Sequence, residues 1–279
     1  MTTFKPAGRS APQSLVAVAV PLSNRMVFTE EEEISLLHLN HHLGQFDRFF
    51  IIPENQNIDV SGFNLMRFST EFFGSVHANR KLMFRKAFYE AFTSYKYILI
   101  YHLDALVFSN QLVRWCEAGF DYIAPPWIQH PDAPYFGNPE YEGKVGNGGF
   151  SLRRVQSFLA VLNSQKLWRN PLRRTIHEFL YGTAKERCLS LVNFFRYWQA
   201  EHNGVSHELA SYYQNEDHFW PNRASHYYPS FKVAPVNIAL QFAFECVPRY
   251  CYELIGRQLP FGCHAWGRYD RDFWIPYLI

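Results

Sequence analysis

Tyr97-Ile-Leu-Ile-Tyr-His102-Leu-Asp104-Ala-Leu-Val-Phe108 is an apolar run broken by two polar side chains, His102 and Asp104. A stretch of this kind fits a strand covered on both faces, as strands of parallel sheets are. In an extended chain His102 and Asp104, two residues apart, point to the same side at the end of the strand. A carboxylate there is costly to bury without a partner. Two readings stand open. Either Asp104 caps a turn and His102 is a satisfied core histidine, or both are ligands of a divalent ion that neutralises a pyrophosphate.

The chain around this run alternates strand and helix. Residues 15–20 are continuously apolar and end at Pro21, which marks a central parallel strand. Thr29 and Glu32 form a capping-box pattern, and Leu36, Leu39 and Leu43 make a helical stripe before Gly44. A strand over 48–52 follows, then a helix over 76–93 whose buried face is Phe84, Ala87, Phe88, Ala91, Phe92 and Tyr95. Ser109 is the expected cap of the next helix, which ends at Gly119, and residues 121–124 return to the sheet before Pro125-Pro126. The expectation is an α/β fold: a mostly parallel sheet flanked by helices on both faces. The second half is more helical, with segments at 155–162, 185–202 and 207–214. Residues 1–13, small and polar with Pro6, Gly8 and Pro12, give a flexible tail, and 14–279 a single domain.

Composition narrows the function. The net charge is +2 across 279 residues and the basic side chains are scattered, which argues against nucleic acid as a partner. Five cysteines without a C-x-x-C pair indicate neither a disulfide framework nor a zinc knuckle and fit a reducing, cytoplasmic setting. No run reaches the roughly 20 apolar residues that span a bilayer, so contact with a membrane, at its inner face, is at most peripheral. The apolar segment 273–279 docks on the domain, a partner or a membrane surface.

Ligands of open α/β sheets sit beyond the carboxyl ends of the strands, so polar residues there come first. Val145-Gly-Asn147-Gly148-Gly149-Phe-Ser-Leu-Arg153 places adjacent glycines before a strand-like segment, where backbone can approach a substrate closely. An ordinary tight turn explains it equally well. Asn215-Glu216-Asp217-His218-Phe219-Trp220 sets two carboxylates at a helix start, a position the macrodipole favours in any case. Pro260-Phe-Gly-Cys-His264-Ala-Trp266 adds a late histidine. Trp127, Trp220 and Trp266 are rings on which a sugar could stack, or core residues.

Together and in this order, the four segments resemble those of GT-A glycosyltransferases, whose fold is Rossmann-like. His102-Leu103-Asp104 resembles the DxD segment, with histidine replacing its first aspartate. Asn147 to Arg153 resembles the glycine-rich acceptor-side segment, Asn215-Glu216-Asp217 the acidic xED motif of inverting members, and His264 with Trp266 the late histidine that completes some metal sites. The likeness runs to a bacterial family of GT-A-like proteins and covers the chain from Leu15 to Trp266.

The resemblance implies transfer of a sugar from a nucleotide-sugar donor, expected to be a UDP-sugar, to a saccharide or glycoconjugate acceptor, with a place in bacterial surface polysaccharide synthesis. It implies Mn²⁺ or Mg²⁺ held by Asp104, His264 and His102; imidazole ligands favour manganese. Should His102 not ligate, Arg80 or Lys81, at the start of their helix, supply the positive charge. Asp217 is then the general base and Glu216 positions the acceptor. Pro21, Leu22, Ser23 and Arg80 join His102 and Asp104 on the donor side, and Trp127, Asn147, Gly148, Gly149 and Trp220 form the acceptor side. The alternative is a non-catalytic nucleotide-sugar or carbohydrate-binding module with a degenerate metal site. A glycoside hydrolase would need carboxylates roughly 5 to 10 Å apart across the bond, which the neighbours Glu216 and Asp217 do not readily provide.

Overall fold

The structure, a computed structural model, describes residues 14–22, 27–166, 176, 179–187, 189–190, 192 and 204–279. The strands are β1 (Ser14–Pro21), β2 (Asp47–Pro53), β3 (Asn64–Phe68), β4 (Tyr95–Tyr101), β5 (Leu106–Val107), β6 (Tyr122–Ile123), β7 (Phe150–Arg154), β8 (Ala243–Phe244) and β9 (Gly262–Cys263). The helices are α1 (Glu30–Leu43), α2 (Val76–Met83), α3 (Lys86–Glu90), α4 (Leu112–Glu117), α5 (Val155–Leu162), α6 (Val205–Ser211), α7 (Glu216–Tyr227), α8 (Val236–Phe242), α9 (Pro248–Leu254) and α10 (Arg271–Trp274).

Six strands form a mixed sheet in the order β3-β2-β1-β4-β7-β6. The β3–β2, β2–β1 and β1–β4 pairs are parallel, whereas β7 runs antiparallel to both β4 and β6. Alternate residues of β1 serve opposite faces, as a period of two requires. Ala17 and Ala19 pack with α2, α3, α5 and α7 side chains, while Val16, Val18 and Val20 pack with Leu36, Leu39 and Leu43 of α1 and with α4. The alanines leave room for the rings of Phe88, Phe92, Phe158 and Trp220 on their side. The capping box is present, with Thr29 N–H donating to Glu32 and Glu32 N–H to the Thr29 hydroxyl.

Four local expectations are corrected. The run 97–108 is two strands of different sheets: the chain turns over residues 102–105, closed by Ala105 N–H donating to the His102 carbonyl at 3.0 Å. His102 and Asp104 therefore stand in a turn. The segment 76–93 holds two helices, α2 and α3, because Arg85 takes an extended conformation. Beyond the break Phe88 and Phe92 of the expected face are buried together with Tyr89, while Ala87 and Ala91 of that face are exposed. Next, Gln111, not Ser109, precedes α4 and makes no side-chain cap. Finally, β3 and the strands β8 and β9 that join β5 in a small second sheet have no counterpart in the sequence reading. The expected tail 1–13 and most of the expected helix 185–202 lie outside the described residues; the segment at 207–214 is α6, beginning at Val205.

The last residues dock on their own fold. Trp274 is fully buried and stacks on Phe108 with ring centroids 5.3 Å apart, and Ile279 N–H donates to Nε2 of the buried His38 at 3.3 Å. Replacement Trp274→Ala is expected to cost about 3–5 kcal/mol of unfolding free energy through the cavity it leaves, measured by urea denaturation; a loss below about 1 kcal/mol would show that the docking is dispensable.

Candidate active site

The sheet order changes direction between β1 and β4, since β2 and β3 lie on one side of β1 and β4 on the other. Crevices form at such a switch beyond the carboxyl ends of the strands. Here a cleft of about 820 Å³ is bordered by Pro21 and Leu22 after β1 and by His102 and Asp104 after β4. Because β7 is antiparallel to β4, its amino end lies at the same edge. Tyr101 pairs with Phe150, and His102 N–H donates to the Gly149 carbonyl at 2.7 Å. Gly148 and Gly149 thus enter the cleft wall through strand pairing alone.

The small sheet supplies the next residues. β8 and β9 run parallel in register, so Glu245 and His264 leave them side by side, and His264 N–H donates to the Phe244 carbonyl at 2.9 Å. β5 is antiparallel to β9, with Leu106 opposite Cys263, which sets the turn before β5 beside the residues after β9. The result is a chain of polar contacts. His264 Nε2 lies 3.3 Å from Asp104 Oδ1, and His264 Nδ1 lies 2.9 Å from Glu245 Oε1. Asn147 Nδ2 donates to Glu245 Oε1 at 2.8 Å, while Asn147 Oδ1 accepts from the N–H groups of Gly149 and Phe150.

His102, Asp104 and His264 each offer one ligand atom within 4.8 Å of the other two. Burial pushes the His102 pKa down to about 4, against the opposing pull of Asp104, so this imidazole is neutral and able to ligate. Among the described residues its buried Nε2 has no hydrogen-bond partner. For His264 burial works the same way, but the charges and hydrogen bonds of Asp104 and Glu245 outweigh it and push the pKa up to about 10. Burial acts to raise the Asp104 pKa, and His264 reverses this to hold the carboxyl well below its usual range. Protonated His264 therefore carries the positive charge that a cation would bring, and Glu245 has the place of the carboxylate that orients a metal-bound imidazole. Gly149 is needed at this point: a Cβ there would lie 2.1 Å from His264 Nε2 and 2.9 Å from His102 Nδ1. The donor set, the His102 nitrogen and the cradle fit a divalent cation, which would bind with release of the His264 proton.

The third group comes from α7. Glu216, 4% exposed, accepts from Arg153 Nη2 at 2.9 Å and from Trp220 Nε1 at 2.8 Å. With both oxygens engaged, Glu216 fixes the start of α7 from within. Asp217 lines the cleft, and burial, with the nearby charges of Glu216 and Glu245, pushes its pKa up to about 7.

The cleft gathers Pro21, Leu22, Arg80, His102, Asp104, Asn147, Gly148, Gly149, Glu216, Asp217 and His264 of the expected site. Ser23 lies outside the described residues. The tryptophans are corrected to core residues. Trp220 and Trp266 have no exposure and Trp127 only 5%, packed 4.7 Å from Tyr141 over Gly146, and none borders the cleft. Arg80 and Lys81 sit in the last turn of α2 rather than at its start, and Lys81 is exposed and away from the cleft. Glu245 was missed by sequence reasoning, since no motif surrounds it and the parallel β8–β9 pair that carries it spans two residues of each strand.

The chain belongs to the family described as protein of unknown function (DUF5672), whose model matches residues 62–264. Two solved structures resemble it in backbone course. The glycosyltransferase GlyE of Streptococcus pneumoniae TIGR4 is 12% identical with a TM-score of 0.42, over 95% of this chain and 60% of that one. An active-site mutant of LgtC is 10% identical with a TM-score of 0.44, over 89% of this chain and 86% of that one. The chain thus spans about 60% of the GlyE chain's length. No curated protein matches it in sequence. Among the described residues no helix is long and apolar enough to cross a membrane.

Two outcomes follow from these contacts. Glu245→Gln should weaken binding of Mn²⁺ about 10- to 100-fold in calorimetric titration, as loss of a carboxylate behind a ligating imidazole does; unchanged affinity would remove Glu245 from the site. The folded chain holds the Asp217 proton more tightly than the unfolded one, so ionisation of Asp217 destabilises the fold as pH rises from about 4 through about 7. In metal-free buffer at pH 8, Asp217→Asn should raise stability by on the order of a few kcal/mol, with the gain gone at pH 3, where both forms are neutral.

Proposed function

We propose that the chain is an inverting glycosyltransferase that moves a sugar from a nucleotide-diphosphate donor, a UDP-sugar in the first instance, to a hydroxyl of a saccharide or glycoconjugate. The observation that carries this reading is the meeting, in one cleft at the switch between β1 and β4, of a His-Asp-His donor set and a carboxylate whose pKa lies near 7. The resemblance of the four sequence segments to GT-A glycosyltransferases adds support. Within this proposal residues 14–279 act as one domain, and the enzyme works in the cytoplasm or peripherally at the inner face of a membrane.

Asp217 accepts the proton of the acceptor hydroxyl as its oxygen bonds to the anomeric carbon. The bond from that carbon to the donor's diphosphate oxygen breaks on the opposite face, which inverts the configuration, and the nucleoside diphosphate leaves with the electron pair. A base near neutrality serves best, since it combines a substantial ionised fraction with useful basicity. His102, Asp104 and His264 would hold Mn²⁺ or Mg²⁺, which supplies Lewis-acid stabilisation of the leaving diphosphate. Glu245 and Asn147 orient His264; Asn147 also fixes the Gly148–Gly149 backbone, where a Cβ on Gly149 would collide with His264 and His102. Arg153 and Glu216 hold Asp217 in place.

Thermal-shift screening of nucleotide sugars, with and without Mn²⁺, identifies the donor, because a ligand stabilises the fold according to its affinity and concentration. With that donor, Asp217→Asn is expected to lower kcat about 10²- to 10⁴-fold while UDP affinity stays within a few-fold, and the wild-type kcat/KM should fall below an apparent pKa of about 7. Full activity in the variant, or stabilisation by none of the donors, would overturn the proposal.

A further inference from the structure

Between α6 and α7 the chain crosses residues 212–215 without regular secondary structure, directly before Glu216 and Asp217. Side chains hold this segment from three directions. From α2, Arg80 Nη1 donates to the carbonyl oxygens of Tyr213 and Gln214, both at 2.8 Å. From the loop before β7, Glu140 Oε2 accepts from Gln214 Nε2 at 2.9 Å. From α7 itself, His218 Nδ1 lies 2.7 Å from the Tyr212 hydroxyl. Arg80 differs from the other two because it also borders the cleft, and its Nη2 lies 2.9 Å from His77 Nδ1 one turn back on the same helix.

We infer that Arg80 is a positioning residue for Asp217 and not a ligand of the donor's phosphates; this rests on the proposed transferase reading. A cationic donor that spans two consecutive carbonyls makes two charge-assisted bonds in one fixed geometry. The bonds fall on the two residues before Asn215, the residue that precedes α7, so they set where that helix begins and hence where Asp217 enters the cleft. Both hydrogens of Nη1 are taken by these carbonyls, so contact with a diphosphate through Nη1 would break at least one of the two bonds and loosen the segment that carries the base. Arg80 thereby links the α2 wall of the cleft, which includes Ser75 and Asn79, to the carboxylate on its other side.

The test uses the full chain with Arg80→Met and Arg80→Lys. Hydrogen exchange of peptides covering 212–218 should quicken about tenfold in Arg80→Met, as expected for a local opening made easier, and be partly restored in Arg80→Lys, which keeps one charged donor. UDP affinity by calorimetry in the presence of Mn²⁺ should stay within twofold. Turnover of the donor found by screening should lose at least tenfold in kcat with KM for the donor within twofold, kcat being referred to the binding-competent fraction given by the calorimetric stoichiometry so that loss of folded enzyme is excluded. A tenfold loss of UDP affinity with unchanged exchange at 212–218 would overturn the inference and make Arg80 a phosphate ligand. Should Arg80→Met fail to fold, Arg80→Lys carries the same measurements, with an intermediate rise in exchange and fall in kcat expected. If the wild type neither binds UDP nor turns over any donor, the transferase reading fails; exchange alone then decides the clamp, and an unchanged 212–218 segment overturns it.

Discussion

A guanidinium with no exposure sits in the middle of this fold, and the candidate site is built on it. Arg153 projects from β7, the strand that joins the parallel part of the sheet to its antiparallel edge. Charge at such depth is tolerable only when paired and hydrogen-bonded. Arg153 is both: it donates to Ser151 on its own strand, to the Tyr89 hydroxyl of α3 and to Glu216 of α7. Burial acts to lower its pKa, but Glu216 reverses this and holds it above the usual range. Three elements distant in sequence are fixed at one point, and the residue after Glu216 is Asp217. Stability and the proposed chemistry are thus tied, since the bond that secures α7 to the core also sets the Asp217 carboxylate in the cleft.

Around Asp217 the structure maintains a destabilised group. Burial and the charges of Glu216 and Glu245 keep its proton on near neutrality, while in the same cleft the His264 imidazolium, lying between Asp104 and Glu245, holds the Asp104 carboxyl well below its usual range. The cleft therefore separates a basic carboxylate from an ionised, cation-seeking cluster. Such divergence of neighbouring acids is a mark of functional sites.

Much of this architecture was legible in the sequence, and its failures have physical causes. The β1 run, the capping box at Thr29 and the parallel order came through because each is encoded locally, by periodicity or by side-chain-to-backbone pairing. The turn at 102–105 was hidden inside an apolar run, since Leu103 and Ala105 are buried after the turn as they would be in a strand. The break at Arg85 was hidden for a similar reason, because Phe88 and Phe92 satisfy a helical stripe whether or not the helix is continuous. His102, Asp104, Asp217 and His264, which share one cleft, were singled out in the sequence because unusual polar residues at strand ends and helix starts stand out. Glu245 was not, since its meaning depends on the register of two-residue strands. The tryptophans misled because a ring suited to a sugar is equally suited to a core, and here the core took them.

The central claim is that the His102–Asp104–His264 cluster and Asp217 face one ligand. A crystal structure with Mn²⁺ and UDP, with anomalous scattering recorded at the manganese edge, tests this most directly. The account predicts a manganese peak within about 2.0–2.5 Å of ligand atoms from the cluster, the diphosphate on it, and Asp217 across the space beyond the terminal phosphate. UDP bound elsewhere, or a cation held by other residues with the cluster left empty, would contradict it.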